Sequence, residues 1–238
     1  MEKAGELAVE ARGICRRFGR RWALINVDLA VPAGSAMMVV GRNGSGKSTL
    51  LRVLSTAISA DRGTARIHGA DVRSSRGLVR ERVALLGHYL YHYESLSALE
   101  NLQVKARHLG IDSSRPSLIE TLSRVDLAGR ADDPVATFSA GMRKRLALAG
   151  VILQRAKVVM LDEPFGQLDP PGFRFVDALV RSMRESGVTV LVATHQLERS
   201  AAFCETALVL DEGEVRWTGP VDELLRRGGV DELGAEGA

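Results

Sequence analysis

Apolar and polar positions alternate at the start of the chain. Leu7, Val9 and Ile14 are followed by Trp22, Leu24, Val27 and Leu29, with the turn residues Gly19 and Arg20–Arg21 between them. A period of two broken by turn residues predicts a hairpin or small antiparallel sheet. Pro32–Ala33–Gly34 ends that pattern, and Met37–Val40 is a wholly apolar strand running directly into a glycine-rich turn. Leu50, Leu51, Val53 and Leu54 then recur at helical spacing, which predicts a helix from Lys47 to about Ile58.

The middle of the chain reads as helix. Ser97 and Glu100 form an S-x-x-E capping box ahead of Leu99, Leu102, Ala106 and Leu109 on one face. Ser117 and Glu120 repeat the device after Pro116, and a third helix is expected from Ser139 to Leu153. Apolar strands then return between helices: Val158–Leu161, a helix near Phe173–Glu185, Val188–Ala193, a helix near Leu197–Phe203, and Ala207–Leu210. Near-continuous apolar strands alternating with helices predict a parallel sheet covered on both faces, here with a helical insert.

Composition narrows the class. The 238 residues are 45% hydrophobic and 26% charged, an ordinary globular balance long enough for a sizeable core. A net charge of +3 is too small to argue for a nucleic-acid partner. No apolar run approaches the ~18 residues that would cross a bilayer, and the first ten residues carry three acids and no apolar block. The expectation is a chain without membrane span or leader, working on the cytoplasmic side. Cys15 and Cys204 form no CxxC and read as reduced thiols. All three tyrosines crowd into Tyr89, Tyr91 and Tyr93.

Three elements carry chemistry. Gly41-Arg-Asn43-Gly44-Ser45-Gly46-Lys47-Ser48 matches G-x-x-x-x-G-K-[ST] between a strand and a helix. Glycines let the backbone N–H groups face phosphate oxygens, and the helix N-terminus adds positive charge. Lys47 is placed for the β- and γ-phosphates, and Ser48 for Mg²⁺. Val158–Leu161 ends in Asp162-Glu163, where Asp162 can hold Mg²⁺ through water and Glu163 can act as general base. Val190–Thr194 ends in His195, whose imidazole can bond a γ-phosphate or the attacking water.

In that order and at that spacing, these motifs resemble the ATP-binding cassette of ABC transporters over about residues 7–225. The resemblance implies an α/β P-loop NTPase core of RecA type, with a small antiparallel β subdomain and an inserted helical subdomain. The core would be 1–88 and 157–227, the helical signature subdomain 89–156, and 228–238 a flexible tail. It also implies ATP and Mg²⁺ as ligands. Phe18 resembles the aromatic that stacks on adenine, and Thr49 follows the phosphate loop. Phe138-Ser139-Ala140-Gly141-Met142 resembles the signature L-S-G-G-Q, Gly166-Gln167-Leu168-Asp169 the D-loop, and His195 the switch histidine. The family works as a head-to-tail dimer, so Ser139, Gly141 and Asp169 of one cassette would meet the nucleotide held by Lys47 of another. That second cassette can be identical or related. Separate membrane permease subunits would hold the pair, peripherally, at the inner face of the cell membrane.

Two positions depart from the family pattern. Met142 stands for the signature glutamine and cannot reproduce its amide hydrogen bonds. His88 stands where the Q-loop glutamine is usual, and could still contact Mg²⁺-bound water. Gly87-His88, Leu96–Leu102, Ser139–Gly141 and Asp162-Glu-Pro-Phe165 together resemble the ATPase of the haem exporter of cytochrome c biogenesis, the CcmA type. Some drug- or lipid-exporting cassettes share the DEPF run and the signature alanine. The expected function is therefore ATP hydrolysis for an exporter, with haem export for cytochrome c biogenesis as the first context and drug or lipid export as the alternative. A soluble ABC-type ATPase acting on nucleic acid or ribosomes is a further alternative, as is a nucleotide sensor without turnover. Arg143, Lys144 and Arg145 read either as a solvated face or as help with phosphate charge. Tyr89–Tyr93 reads as a docking surface for a membrane partner or as plain packing. His88 and His92, four apart, could share one helical face, where a metal or haem site is a remoter reading.

Overall fold

The computed structural model describes residues 6–229, so the expected tail lies, from 230 onward, outside the described residues. In chain order the elements are β1 (Leu7–Phe18), β2 (Arg21–Pro32), β3 (Ala36–Val40), α1 (Lys47–Leu54), β4 (Arg62–Ile67), β5 (Ala70–Asp71), α2 (Arg76–Arg82) and β6 (Val83–Leu86). Then follow α3 (Ala98–Leu109), α4 (Arg115–Ser123), α5 (Ala140–Gln154), β7 (Val158–Asp162), α6 (Pro170–Glu185) and β8 (Thr189–Thr194). The chain closes with α7 (Leu197–Ser200), β9 (Thr206–Asp211), β10 (Glu214–Pro220) and α8 (Val221–Arg226).

The larger sheet has strand order β10-β9-β3-β8-β7-β6, parallel from β9 to β6, with β10 added antiparallel at the edge. Its central strands β3, β7 and β8 are buried on both faces. Along β3, Met37 and Val39 enter one core with α1 and the smaller sheet, while Met38 and Val40 enter the other with α3, α5 and α6. The smaller sheet, β2-β1-β4-β5, is antiparallel. The three helices α3, α4 and α5 pack on one another beyond the β6 edge. Phe165, fully buried after β7, meets Phe173 edge-on at 6.1 Å and lies 6.2 Å from Phe203, fixing the β7–α6 loop to α6 and to the turn after α7.

Several local expectations need correction. The helix after Lys47 stops at Leu54 instead of Ile58, because Thr56 turns left-handed (φ 64) and the chain folds back, Ile58 N–H donating to the Arg52 carbonyl. The capping box at Ser117 does not form. The α4 N-cap is Ser114, and Pro116 sits in the first turn, where its missing N–H is harmless. The box at Ser97 does form, with Glu100 N–H donating to Ser97 Oγ and Ser97 N–H to the Glu100 carboxylate. Residues 87–96 are irregular, so His88 and His92 share no helical face. The helix expected over 197–203 is a single turn, Leu197–Ser200.

Candidate active site

The phosphate loop leaves β3 at Gly41 and enters α1 at Gly46. Both glycines are left-handed, φ 153 and 112, and a Cβ at Gly41 would lie 2.1 Å from the Leu210 carbonyl oxygen, one at Gly46 2.5 Å from that of Ala23. Close backbone packing therefore forces glycine at both places. Asn43 and Gly44 are exposed at the turn, and Thr49 is half-buried in the first turn of α1. Ser45 is buried, and its hydroxyl has no hydrogen-bond partner among the described residues. Lys47 is buried, its ammonium donating to the carbonyls of Gly41 at 2.7 Å and Arg42 at 3.0 Å. Burial lowers its pKa, opposed by the neighbouring carboxylates of Glu163 and Asp162.

Parallel pairing of β7 with β8 brings the second and third motifs to the same end of the sheet, since Asp162 pairs with Ala193 and Val40 with Thr194. Ser48 Oγ donates to Asp162 Oδ1 at 2.9 Å. Asp162 is buried, which raises its pKa, with the Ser48 bond opposing and Glu163 adding to the rise. Glu163 meets His195 directly, Oε1 to Nδ1 at 3.0 Å, and accepts weakly from Thr194 Oγ1 at 3.4 Å. The Glu163 backbone is left-handed, φ 47, and its N–H donates to the Ala193 carbonyl at 2.8 Å. His88 is exposed just past β6, near enough to Asp162 to lower its pKa electrostatically. Phe18 ends β1 with 46% exposure, one ring face covered by the Arg16 guanidinium at 4.7 Å.

The other predicted residues lie apart. Ser139 caps α5, accepting from Met142 N–H at 3.2 Å, and Asp169 caps α6, accepting from Gly172 N–H at 2.9 Å. With Gly141 and Met142 they line an open cleft of about 590 Å³. Gly41, Arg42 and His195 border a different cleft, of about 840 Å³. The run 143–145 is neither a solvated face nor a group at either cleft alone. Arg143 donates to the carbonyls of Val135 and Ala136, and Arg145, which also borders the smaller cleft, to the Asp126 carboxylate. Lys144 is buried and donates to the Glu163 carbonyl at 2.9 Å. Sequence reasoning missed that contact. The available signal was helical phase, since Lys144 falls on the same face as the buried Leu148 and Val151. Cys15 and Cys204 are both free thiols.

A phosphate loop on a parallel sheet, with acids and a histidine at the ends of the adjacent strands, defines a nucleoside-triphosphatase. The family model described as "ABC transporter" matches residues 24–166, and the chain belongs to that family's ATP-binding subunits. It binds ATP and hydrolyses it. The chain is 38% identical to the daunorubicin resistance ATP-binding protein DrrA3 of Streptomyces coeruleorubidus, covering 96% of this chain and 73% of that one. It is 35% identical to the daunorubicin/doxorubicin resistance ATP-binding protein DrrA of Streptomyces peucetius, covering 91% and 66%. Among solved structures, the ATP-binding subunit of an ABC transporter superposes with a TM-score of 0.85 at 25% identity, over 96% of this chain and 98% of that one. Both named relatives are drug-resistance proteins, so they favour the drug-export alternative over the expected haem-export context.

Proposed function

We propose that this chain is the ATPase of a membrane exporter that expels a small amphiphilic molecule of drug or lipid type. The observation that carries the site reading is the contact of Glu163 with His195 beside the Ser48–Asp162 pair, at the same sheet end as the phosphate loop. In this reading the loop N–H groups of 43–48 and Lys47 hold the β- and γ-phosphates, Lys47 leaving the Gly41 and Arg42 carbonyls to do so. Phe18 offers its free ring face to the adenine. Glu163 takes a proton from the attacking water, and His195 orients that water against the γ-phosphate.

Mg²⁺ fits the donor set, because the Ser48 hydroxyl and the Asp162 carboxylate are hard oxygen ligands held together. No group of three or more His, Cys, Asp or Glu able to hold a metal occurs among the described residues. Bound there, it would neutralise charge developing on the transferred phosphoryl group; His88 would reach it through water.

The cleft with Ser139, Gly141 and Asp169 is read as the surface that completes the site of a second cassette. Membrane permease subunits are the further partners that membership of the ABC transporter family supports; no described helix is long and apolar enough to cross a bilayer. The exposed Tyr89–Tyr93 segment would face them, from the cytoplasmic side. No nucleic-acid partner is expected. The drug-type cargo follows the relatives' names, whereas haem export rests on the resemblance of Gly87-His88, Leu96–Leu102, Ser139–Gly141 and Asp162–Phe165, part of which drug- and lipid-exporting cassettes share.

The test is ATP hydrolysis by the chain copurified with its permease in lipid vesicles. An anthracycline should stimulate turnover, and Glu163→Gln should reduce it by about 10² or more while ATP still binds. Stimulation by haem alone would overturn the cargo. Unchanged hydrolysis in Glu163→Gln would overturn the assignment of the base.

A further inference from the structure

Helix α5 starts in the smaller cleft at Ser139, yet its Lys144 reaches away from that cleft into the core. The side chain is 4% exposed, and its ammonium donates to the Glu163 carbonyl at 2.9 Å. A buried ammonium is unfavourable unless it is bonded and charge-balanced. Asp162 and Glu163 supply the balance, opposing the fall in pKa that burial causes. The chain thus flanks its two neighbouring acids with two buried lysines, Lys47 from the phosphate loop and Lys144 from α5.

Glu163 needs such support. A left-handed backbone (φ 47) in a non-glycine residue is disfavoured and persists only where the surroundings fix it. Three hydrogen bonds fix this one: its N–H to the Ala193 carbonyl, and its carbonyl accepting from Gly166 N–H at 3.2 Å and from Lys144. Ala193 belongs to β8 and Gly166 to the adjoining loop. Lys144 alone comes from the helical region, from the first turns of the helix that Ser139 caps.

We propose that Lys144 is a positioning residue for hydrolysis, locking the Glu163 peptide so that the Glu163 carboxylate is held on His195, and coupling that geometry to the α5 N-terminus carrying Ser139 and Gly141. The inference rests on the reading of Glu163 as the general base. A shift of α5 when Ser139 meets a second cassette's phosphate is then passed to the base through that one hydrogen bond.

The experiment compares Lys144→Met, Lys144→Gln, Glu163→Gln and the Lys144→Met/Glu163→Gln double variant in the full chain, measuring kcat, the KM for ATP and binding of a fluorescent ATP analogue. Lys144→Met should lower kcat about tenfold with the KM changed by no more than about twofold. Lys144→Gln, whose amide can still donate to the carbonyl, should recover part of that loss. The double variant should be no slower than Glu163→Gln alone, because a base that is absent needs no positioning. Unchanged kcat in the Lys144 variants beside an inactive Glu163→Gln overturns the positioning role and leaves the base intact. Losses that multiply in the double variant, or ATP affinity falling in step with kcat, also overturn it. An active Glu163→Gln instead overturns the reading of the base. Should Lys144→Met fail to fold, Lys144→Gln carries the same comparison.

Discussion

Among the described residues Lys47 and Lys144 are buried and Lys105 is half-buried, and their partners separate them. Lys47 and Lys144 each bond backbone carbonyls and feel both acids of the site. Lys105, on α3, has its ammonium against Gly150 of α5 and makes no hydrogen bond or ion pair among the described residues. Burial alone lowers its pKa to about 8. The unfolded lysine titrates near its ordinary 10.5, so between these values the unfolded chain binds more protons and stability rises with pH. Below about 8 the folded state carries the full penalty of the enclosed charge. Lys105→Met should therefore stabilise the protein at pH 7 by about 1–3 kcal/mol, and the gain should shrink as pH rises toward 10. Urea midpoints at pH 7 and pH 9.5 check this; a destabilised variant at pH 7 would mean that the stem's packing outweighs the charge. The meeting of Glu163 with His195 was legible in the sequence only because each closes an apolar strand in company with a phosphate loop; a strand-end acid or histidine taken alone is weak, since it more often starts a turn or packs structurally. Lys144 was not, since inside an Arg-Lys-Arg run the charge pattern suggests solvent and only the helical phase reveals burial.

At the scale of elements, legibility followed burial. Strands β3, β7 and β8 are wholly buried and announce themselves as apolar runs. Strand β4, Arg-Gly-Thr-Ala-Arg-Ile, buries only Ala65 and Ile67, and α2 buries only Val79, so neither shows a periodic stripe. Capping boxes were legible only where the competing start was absent. Pro116 allows α4 to begin one residue before it, which places Ser117 inside the helix; nothing of the kind precedes Ser97. The Ser97 box satisfies two otherwise orphaned N–H groups, and it sits where Asn101 also ties α3 to the tyrosine segment, donating to the Tyr93 carbonyl at 3.0 Å and accepting from Tyr93 N–H at 2.9 Å. Ser97→Ala should cost about 1 kcal/mol of stability. Thermal and urea unfolding measure it, and a change below about 0.3 kcal/mol would show that the box contributes little here.

Over the whole molecule, the chemistry read from one sequence is divided between two clefts that one chain does not join. Val40, Lys47, Asp162 and His195 converge because parallel strands deliver their carboxyl ends to one side of the sheet. Ser139, Gly141 and Asp169 gather in the other cleft, at the N-termini of α5 and α6. Ser139 Oγ already accepts from Met142 N–H, which leaves its hydroxyl proton free to donate to a phosphate oxygen presented from outside. Met142 adds no polar side-chain group there, so the contact depends on Ser139 and on the backbone beside Gly141. Two copies arranged head to tail would give each nucleotide one half-site from each chain. ATP held at both interfaces would then bridge the pair, and its hydrolysis would release it. Glu163→Gln, which keeps the phosphate loop but slows turnover, should run as a dimer in sedimentation with ATP and as a monomer with ADP or without nucleotide. Adding Lys47→Ala should abolish the ATP-dependent dimer, because the bridging phosphates would lose their main cation. A Glu163→Gln chain that stays monomeric at ATP concentrations far above its KM would show that the cleft around Ser139 meets something other than a second nucleotide-loaded cassette.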